Sequence, residues 1–178
     1  YWQGQIHFDK DSGKPISLVE VEGGPLKLWT IPLAKGEMVP GKYGAGCDLA
    51  TGMGSSNSVL SIGNARTGEK VAEYASPHIR PDVFAPMVTA ICWLFKDEYN
   101  QPALLGWEHA GPGQVFGKSV ADLLYPNIFE RETTNGALAP HSRGIRGTGK
   151  VMGWYPSVPA KRELLDEYNA ALDGRKFI

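Results

Sequence analysis

Apolar residues recur along this chain at two different spacings, and the change between them falls near Pro77. Upstream, residues 43–50 set Ala45, Cys47, Leu49 and Ala50 around a single acid, Asp48. Residues 58–62 read Ser-Val-Leu-Ser-Ile and residues 70–75 read Lys-Val-Ala-Glu-Tyr-Ala. Gly52, Gly54, Ser55 and Ser56 supply the first turn and residues 64–68 the second. Short apolar runs joined by short turns predict three antiparallel strands in a meander. Downstream, Phe84, Met87, Val88, Ile91 and Phe95 fall at i, i+3, i+4, i+7 and i+11, which predicts an amphipathic helix over 81–99 opened by Arg80-Pro81-Asp82. Pro86 lies in its first turns, where proline is tolerated. The apolar run 102–107 predicts a fourth strand that delivers Glu108 into the loop His109-Ala110-Gly111-Pro112-Gly113. Residues 114–124 read as a second helix and 127–129 as a fifth strand. A last helix starts near Pro159, packs Leu164, Leu165, Tyr168, Ala171 and Leu172, and stops at Gly174.

Residues 1–40 never hold a helical period and are interrupted by Gly and Pro. Leu26, Leu28 and Thr30 suggest one short strand, so this segment reads as an arm or hairpin ahead of a domain spanning 41–178. No internal repeat or low-complexity tract is found. The order is a meander, helix, strand, helix, strand, loop and helix. It implies an α/β layer architecture, a mixed sheet of a three-strand antiparallel meander plus two parallel crossovers, flanked by helices. The ribonuclease H-like fold has this order.

Composition narrows the function classes. A chain of 178 residues with 42% hydrophobic and 21% charged residues suits one soluble globular domain. No apolar run is long enough to argue for a membrane span, and no signal-peptide pattern opens the chain. Cys47 and Cys92 sit among apolar neighbours, which reads as two reduced packing thiols in a cytosolic setting. Lys and Arg total 18 against 19 Asp and Glu, a formal charge of −1, so any nucleic-acid contact has to come from a local basic patch. The absent initial Met and the stop at Lys176-Phe177-Ile178 suggest a domain cut from a longer chain.

Asp48 and Glu108 stand out as acids at the ends of otherwise apolar strands. Charge held against a sheet is costly unless paired or bound to a cation. With the first and fourth predicted strands adjacent, the two acids face one another across about one strand spacing, roughly 5 Å. Two close carboxylates with no neighbouring Lys or Arg suit Mg²⁺ or Mn²⁺, which activates water against a phosphodiester. Spacing alone leaves open a turn-bonding Asp48 and a solvated Glu108. Two stretches imitate a phosphate-binding loop. Residues 144–150 end in Gly-Lys but put Val151 where a hydroxyl must hold Mg²⁺, and 113–119 end in Gly-Lys-Ser one residue short between their glycines. Neither makes an ATP site. Arg143, Arg146 and Lys150 lie in a basic, glycine-rich stretch, 141–150, which either tracks a phosphate backbone or is a solvated loop. His109 is a candidate general base or metal-shell residue, and Trp93, Trp107 and Trp154 read as core rather than base-stacking platforms.

The residues resemble a family, the nuclease domain of the large terminase subunit of tailed phages and prophages. Tyr43-Gly44-Ala45-Gly46-Cys47-Asp48-Leu49-Ala50-Thr51-Gly52, followed by Ser55-Ser56-Asn57-Ser58-Val59-Leu60, is similar to its first-strand acidic motif. Thr67-Gly68-Glu69 resembles its turn into the third strand, and Trp107-Glu108-His109-Ala110-Gly111-Pro112-Gly113 its second acidic motif. Gly153-Trp154, with Lys161 and Leu164-Leu165, resembles a later segment leading into a helix. The likeness covers roughly residues 20–178 and rests on motif order. It implies a ribonuclease H-like fold and a two-metal DNA endonuclease with Asp48 and Glu108 as catalytic Mg²⁺ or Mn²⁺ ligands. It also implies double-stranded DNA as substrate, no membrane, and a host-cytoplasmic setting during phage assembly. In the longer protein it implies an ATPase domain, a small terminase subunit and a portal as partners. The family's third acid, commonly in an Asp-Asp pair, has no match here; Asp166 on the last helix is a candidate substitute, but its neighbours do not match that motif. The alternatives are a non-catalytic module of the same fold that docks DNA or a portal through 141–150, or another ribonuclease H-like nuclease such as a resolvase or integrase.

Overall fold

The computed structural model describes residues 1–30, 32, 38–132 and 150–174. Its main feature is a seven-stranded mixed sheet. The predicted meander forms at its centre as β4 (Tyr43–Asp48), β5 (Ser58–Asn64) and β6 (Lys70–Ser76), each antiparallel to the next. After α1 (Pro81–Leu94), strand β7 (Leu104–Trp107) returns beside β4 and runs parallel to it. A right-handed helical crossover is the usual way to join such a pair. The predicted fifth strand shrinks to a contact: Leu105 N–H donates to the Asn127 carbonyl at 2.9 Å and Phe129 N–H to the Leu105 carbonyl at 2.8 Å, around one parallel bridge between Leu105 and Ile128.

The first thirty residues do more than form an arm. Strands β1 (Trp2–Asp9) and β2 (Lys14–Glu20) make a hairpin, and β3 (Leu26–Leu28) joins it to the edge of β6, giving the order β2-β1-β3-β6-β5-β4-β7. Hairpin and α1 are in contact. At the hairpin turn Gly13 adopts φ +59° directly over the Thr89 side chain of α1, where a Cβ would collide with its hydroxyl. Only glycine fits both the left-handed backbone and that approach.

The core lies between the sheet and the two helices α1 and α2 (Pro112–Asp122). Alternate residues of each strand point into it: Leu26 and Leu28, Tyr74, Leu60 and Ile62, Ala45 and Cys47, Leu105 and Trp107. Phe84 links the layers, with ring centroids 5.6 Å from Tyr74 and 6.1 Å from Phe116 of α2. Helix α1 is shorter than its apolar period predicts. Phe95 leaves the helix with extended backbone (φ −103°, ψ 94°) yet stays buried, its ring 5.2 Å from Tyr43.

Beyond β7 lie a two-stranded sheet of β8 (Glu130–Glu132) and β9 (Lys150–Met152), then α3 (Val158–Asp173). The predicted packing of α3 is not found at its described positions. Leu164, Leu165 and Tyr168 are each more than half exposed, so the apolar stripe of the helix is not buried at these positions. Trp107 is core, as read from sequence, whereas Trp93 and Trp154 are only half-buried. Among the described residues no helix is long and apolar enough to cross a membrane.

Cys47 and Cys92 are both buried free thiols. Burial pushes Cys92 up to about 12 and raises Cys47 well above the ordinary thiol range. The unfolded chain ionises both near pH 8.5, so above that pH it holds fewer protons than the native state, and stability falls as pH rises. Urea midpoints are therefore expected to be flat from pH 7 to 8 and to drop progressively from about pH 9 toward 12, with both thiols unreactive to alkylation at pH 8 until urea unfolds the protein.

Candidate active site

Strand alternation decides where the two acids go. Along β4, Tyr43, Ala45 and Cys47 face the core while Gly44, Gly46 and Asp48 face away from it. Along β7, Leu105 and Trp107 face the core and Gly106 does not. The parallel register pairs Ala45 with Leu105, Gly46 with Gly106 and Cys47 with Trp107. Asp48 and Glu108 are the next residues on each strand, so they leave neighbouring strands at the same level and on the same face, with backbones about 4.8 Å apart. Both are exposed. Among the described residues neither takes part in an ion pair or a side-chain hydrogen bond.

The backbone at each acid is held firmly. After Asp48, the chain is tied by Ser58, whose buried hydroxyl accepts from Ala50 N–H at 3.0 Å. Glu108 sits between two bonds to one residue: Trp154 N–H donates to the Trp107 carbonyl and His109 N–H to the Trp154 carbonyl, both at 2.7 Å. Below it, the Trp107 indole donates to the Gly113 carbonyl at 3.1 Å inside the core. Gly113 and Gly117 both lie in α2, and a Cβ at either would strike, respectively, the Glu108 carbonyl or the Trp107 ring. The Gly-Lys-Ser stretch is thus helical and serves close packing, not phosphate binding.

The remaining sequence candidates are dispersed. Asp166 is exposed on α3, and no group of three or more His, Cys, Asp or Glu that could hold a metal occurs among the described residues. Lys150 opens β9, 3.7 Å from Glu130. Arg143 and Arg146 lie outside the described residues. His109 is half-buried. Burial and the charge of Arg131 hold its pKa below the ordinary histidine value, and its Nδ1 is buried without a hydrogen-bond partner. Sequence reasoning passed over Ser58 and Arg131; a Ser opening an apolar strand was a usable signal for the first, and nothing local marked the second.

The donor set fits a hard divalent cation: two unpaired carboxylates on one open face, with solvent to complete the shell, as Mg²⁺ prefers. Comparison with protein-family models and with curated proteins returns no match to this chain. The chemistry of the site therefore rests on its geometry.

Because Gly113 leaves room for the Glu108 carbonyl, Gly113→Ala is expected to cost about 2–4 kcal/mol in urea unfolding, through overpacking against backbone. In the same way Gly117→Ala is expected to shift the fluorescence of buried Trp107. Wild-type stability in Gly113→Ala would contradict the close approach.

Proposed function

We propose that this chain is a metal-dependent DNA endonuclease domain with a ribonuclease H-like fold, of the terminase large-subunit class whose motif order it resembles. The observation that carries the reading is the pair Asp48 and Glu108, brought side by side by the β4–β7 register, outward-facing and without counter-charge. Asp48 and Glu108 would hold Mg²⁺ or Mn²⁺; when bound, such an ion activates water and neutralises charge developing on a phosphodiester. Two-metal hydrolysis needs ligands beyond these two. The protein's own contribution is positioning: Ser58 and Trp154 hold the two strand ends, so the carboxylates need little reorganisation when substrate arrives.

Access supports a polymeric substrate. Gly44 and Gly46 face open space, with nothing within 4 Å of an added Cβ, so β4 beside Asp48 is flat and bare, while Gly106 of β7 lies against the Phe129 side chain. A duplex can approach such a face more readily than a cleft. In this reading the longer protein acts in the host cytoplasm with an ATPase domain, a small terminase subunit and a portal. A non-catalytic docking module is the second reading, favoured by the lack of a third acid beside the pair among the described residues.

Supercoiled plasmid in Mn²⁺ is expected to be nicked and linearised by the protein, with Asp48→Asn and Glu108→Gln each lowering the rate at least about a hundredfold, since ligands should matter more than their supporting partners. Gly46→Val is expected to keep or raise stability while slowing cleavage, because its side chain enters open space on the substrate face. Metal-independent DNA binding without cutting would favour the docking module.

A further inference from the structure

Next to the acidic pair lies a basic pair that the proposed hydrolysis does not use. His109 follows Glu108 directly, and Arg131 comes from β8, whose partner β9 leads into Trp154. The 154–155 segment draws the two toward one another: His109 N–H is bonded to the Trp154 carbonyl at 2.7 Å, and the Arg131 guanidinium stands 5.3 Å over the ring of the next residue, Tyr155. His109 Nδ1 and Arg131 Nε are buried side-chain nitrogens without a hydrogen-bond partner. Arg131 Nε can only donate, and an imidazole donates through Nδ1 in one neutral tautomer and when protonated.

Leaving such atoms unpaired is costly, and more so for a charged group. No acid among the described residues relieves it. Among the described residues neither side chain forms an ion pair, and neighbouring Glu130 is instead 3.7 Å from Lys150. Arg131 has its guanidinium carbon 5.3 Å from the Tyr155 ring, a contact that orients the guanidinium without supplying an acceptor oxygen. Both residues are half-buried, so the pair borders solvent on the Glu108 side of the domain. Two unpaired donors flanking the 154–155 segment suit an anion with more than one acceptor oxygen. A phosphate group meets that need, since it accepts from the arginine fork and from a second donor together.

We infer that His109 and Arg131, steadied by Tyr155, form an anion site for a phosphate group one residue from the Glu108 carboxylate. Resting on the nuclease reading, the inference identifies this group as a backbone phosphate of the bound DNA strand. The site would anchor the strand while the carboxylates act on a neighbouring linkage. It holds substrate by charge and hydrogen bonds and takes no part in bond breaking, so His109 and Arg131 are positioning residues.

The test omits divalent metal and cleavage altogether. With EDTA present, inorganic phosphate is titrated into the protein while the His109 ring resonances are followed by NMR, and binding of a labelled duplex is measured over a range of salt. In wild type, phosphate is expected to shift the His109 signals, and in Arg131→Gln that response is expected to vanish. Duplex affinity in Arg131→Gln should fall about tenfold, with the salt dependence shallower by about one phosphate contact. Arg131→Lys, which keeps the charge and loses the fork, should recover only part of both effects; its melting temperature and that of Arg131→Gln certify the fold. A phosphate response without loss of duplex affinity assigns the site to free phosphate. Unmoved His109 signals together with wild-type duplex binding in a folded Arg131→Gln would overturn the site. Binding here by a protein that never cuts DNA would refute the nuclease reading and leave the anion site intact, so the two failures are separable.

Discussion

Everything of functional interest depends on the parallel pairing of β4 with β7. Four register pairs, from Gly44 with Leu104 to Cys47 with Trp107, fix which residue of one strand stands beside which residue of the other. A slip of one position would turn Glu108 to the core face and Trp107 outward, because side-chain period in a strand is two. The register is protected by what it buries. Cys47 and Trp107, the last inward pair, sit beneath the outward acids, so hydrophobic burial and the placement of the carboxylates are one constraint.

Trp107 converts that constraint into a rigid site. Its ring packs edge-on at 5.5 Å from Phe116, its indole nitrogen bonds Gly113, and glycines at 113, 117 and 153 bring α2 and the 153–154 segment close around it. Bulky side chains at those positions would push α2 or Trp154 away and loosen the Glu108 backbone. The opposite face of β4 carries glycines for a different reason: there Gly44 and Gly46 leave a flat surface open. The pair thus combines a crowded interior with a bare exterior along β4, and the acids mark the boundary.

Much of this was legible in the sequence. The meander and the β7 return could be read because their apolar runs are short and broken by glycine turns, and strand order alone brought Asp48 and Glu108 together. Where reading failed, a physical cause can be named. Trp2, Gly4, Ile6 and Phe8 alternate with polar residues, a plain strand signal, but Gly4 interrupts the apolar set; it is small because the Trp2 ring and the Val19 carbonyl occupy the space of a Cβ. Phe95 extended the apparent helix because it is buried by tertiary packing outside the helix. The stripe on α3 predicted burial that its described leucines do not show, and periodicity reports an apolar face, not what covers it. His109 and Arg131 are 22 positions apart, and only the 154–155 segment, bonded to one and stacked by the other, links them.

The central claim is that Asp48 and Glu108 act as one cation site. Mn²⁺ binding to the full chain, followed by calorimetry for wild type, Asp48→Asn, Glu108→Gln and the double variant, tests it most directly. The account expects each single substitution to remove most of the binding and the second to add little, the non-additivity of two ligands to one ion. Undiminished Mn²⁺ binding in both single variants would contradict it.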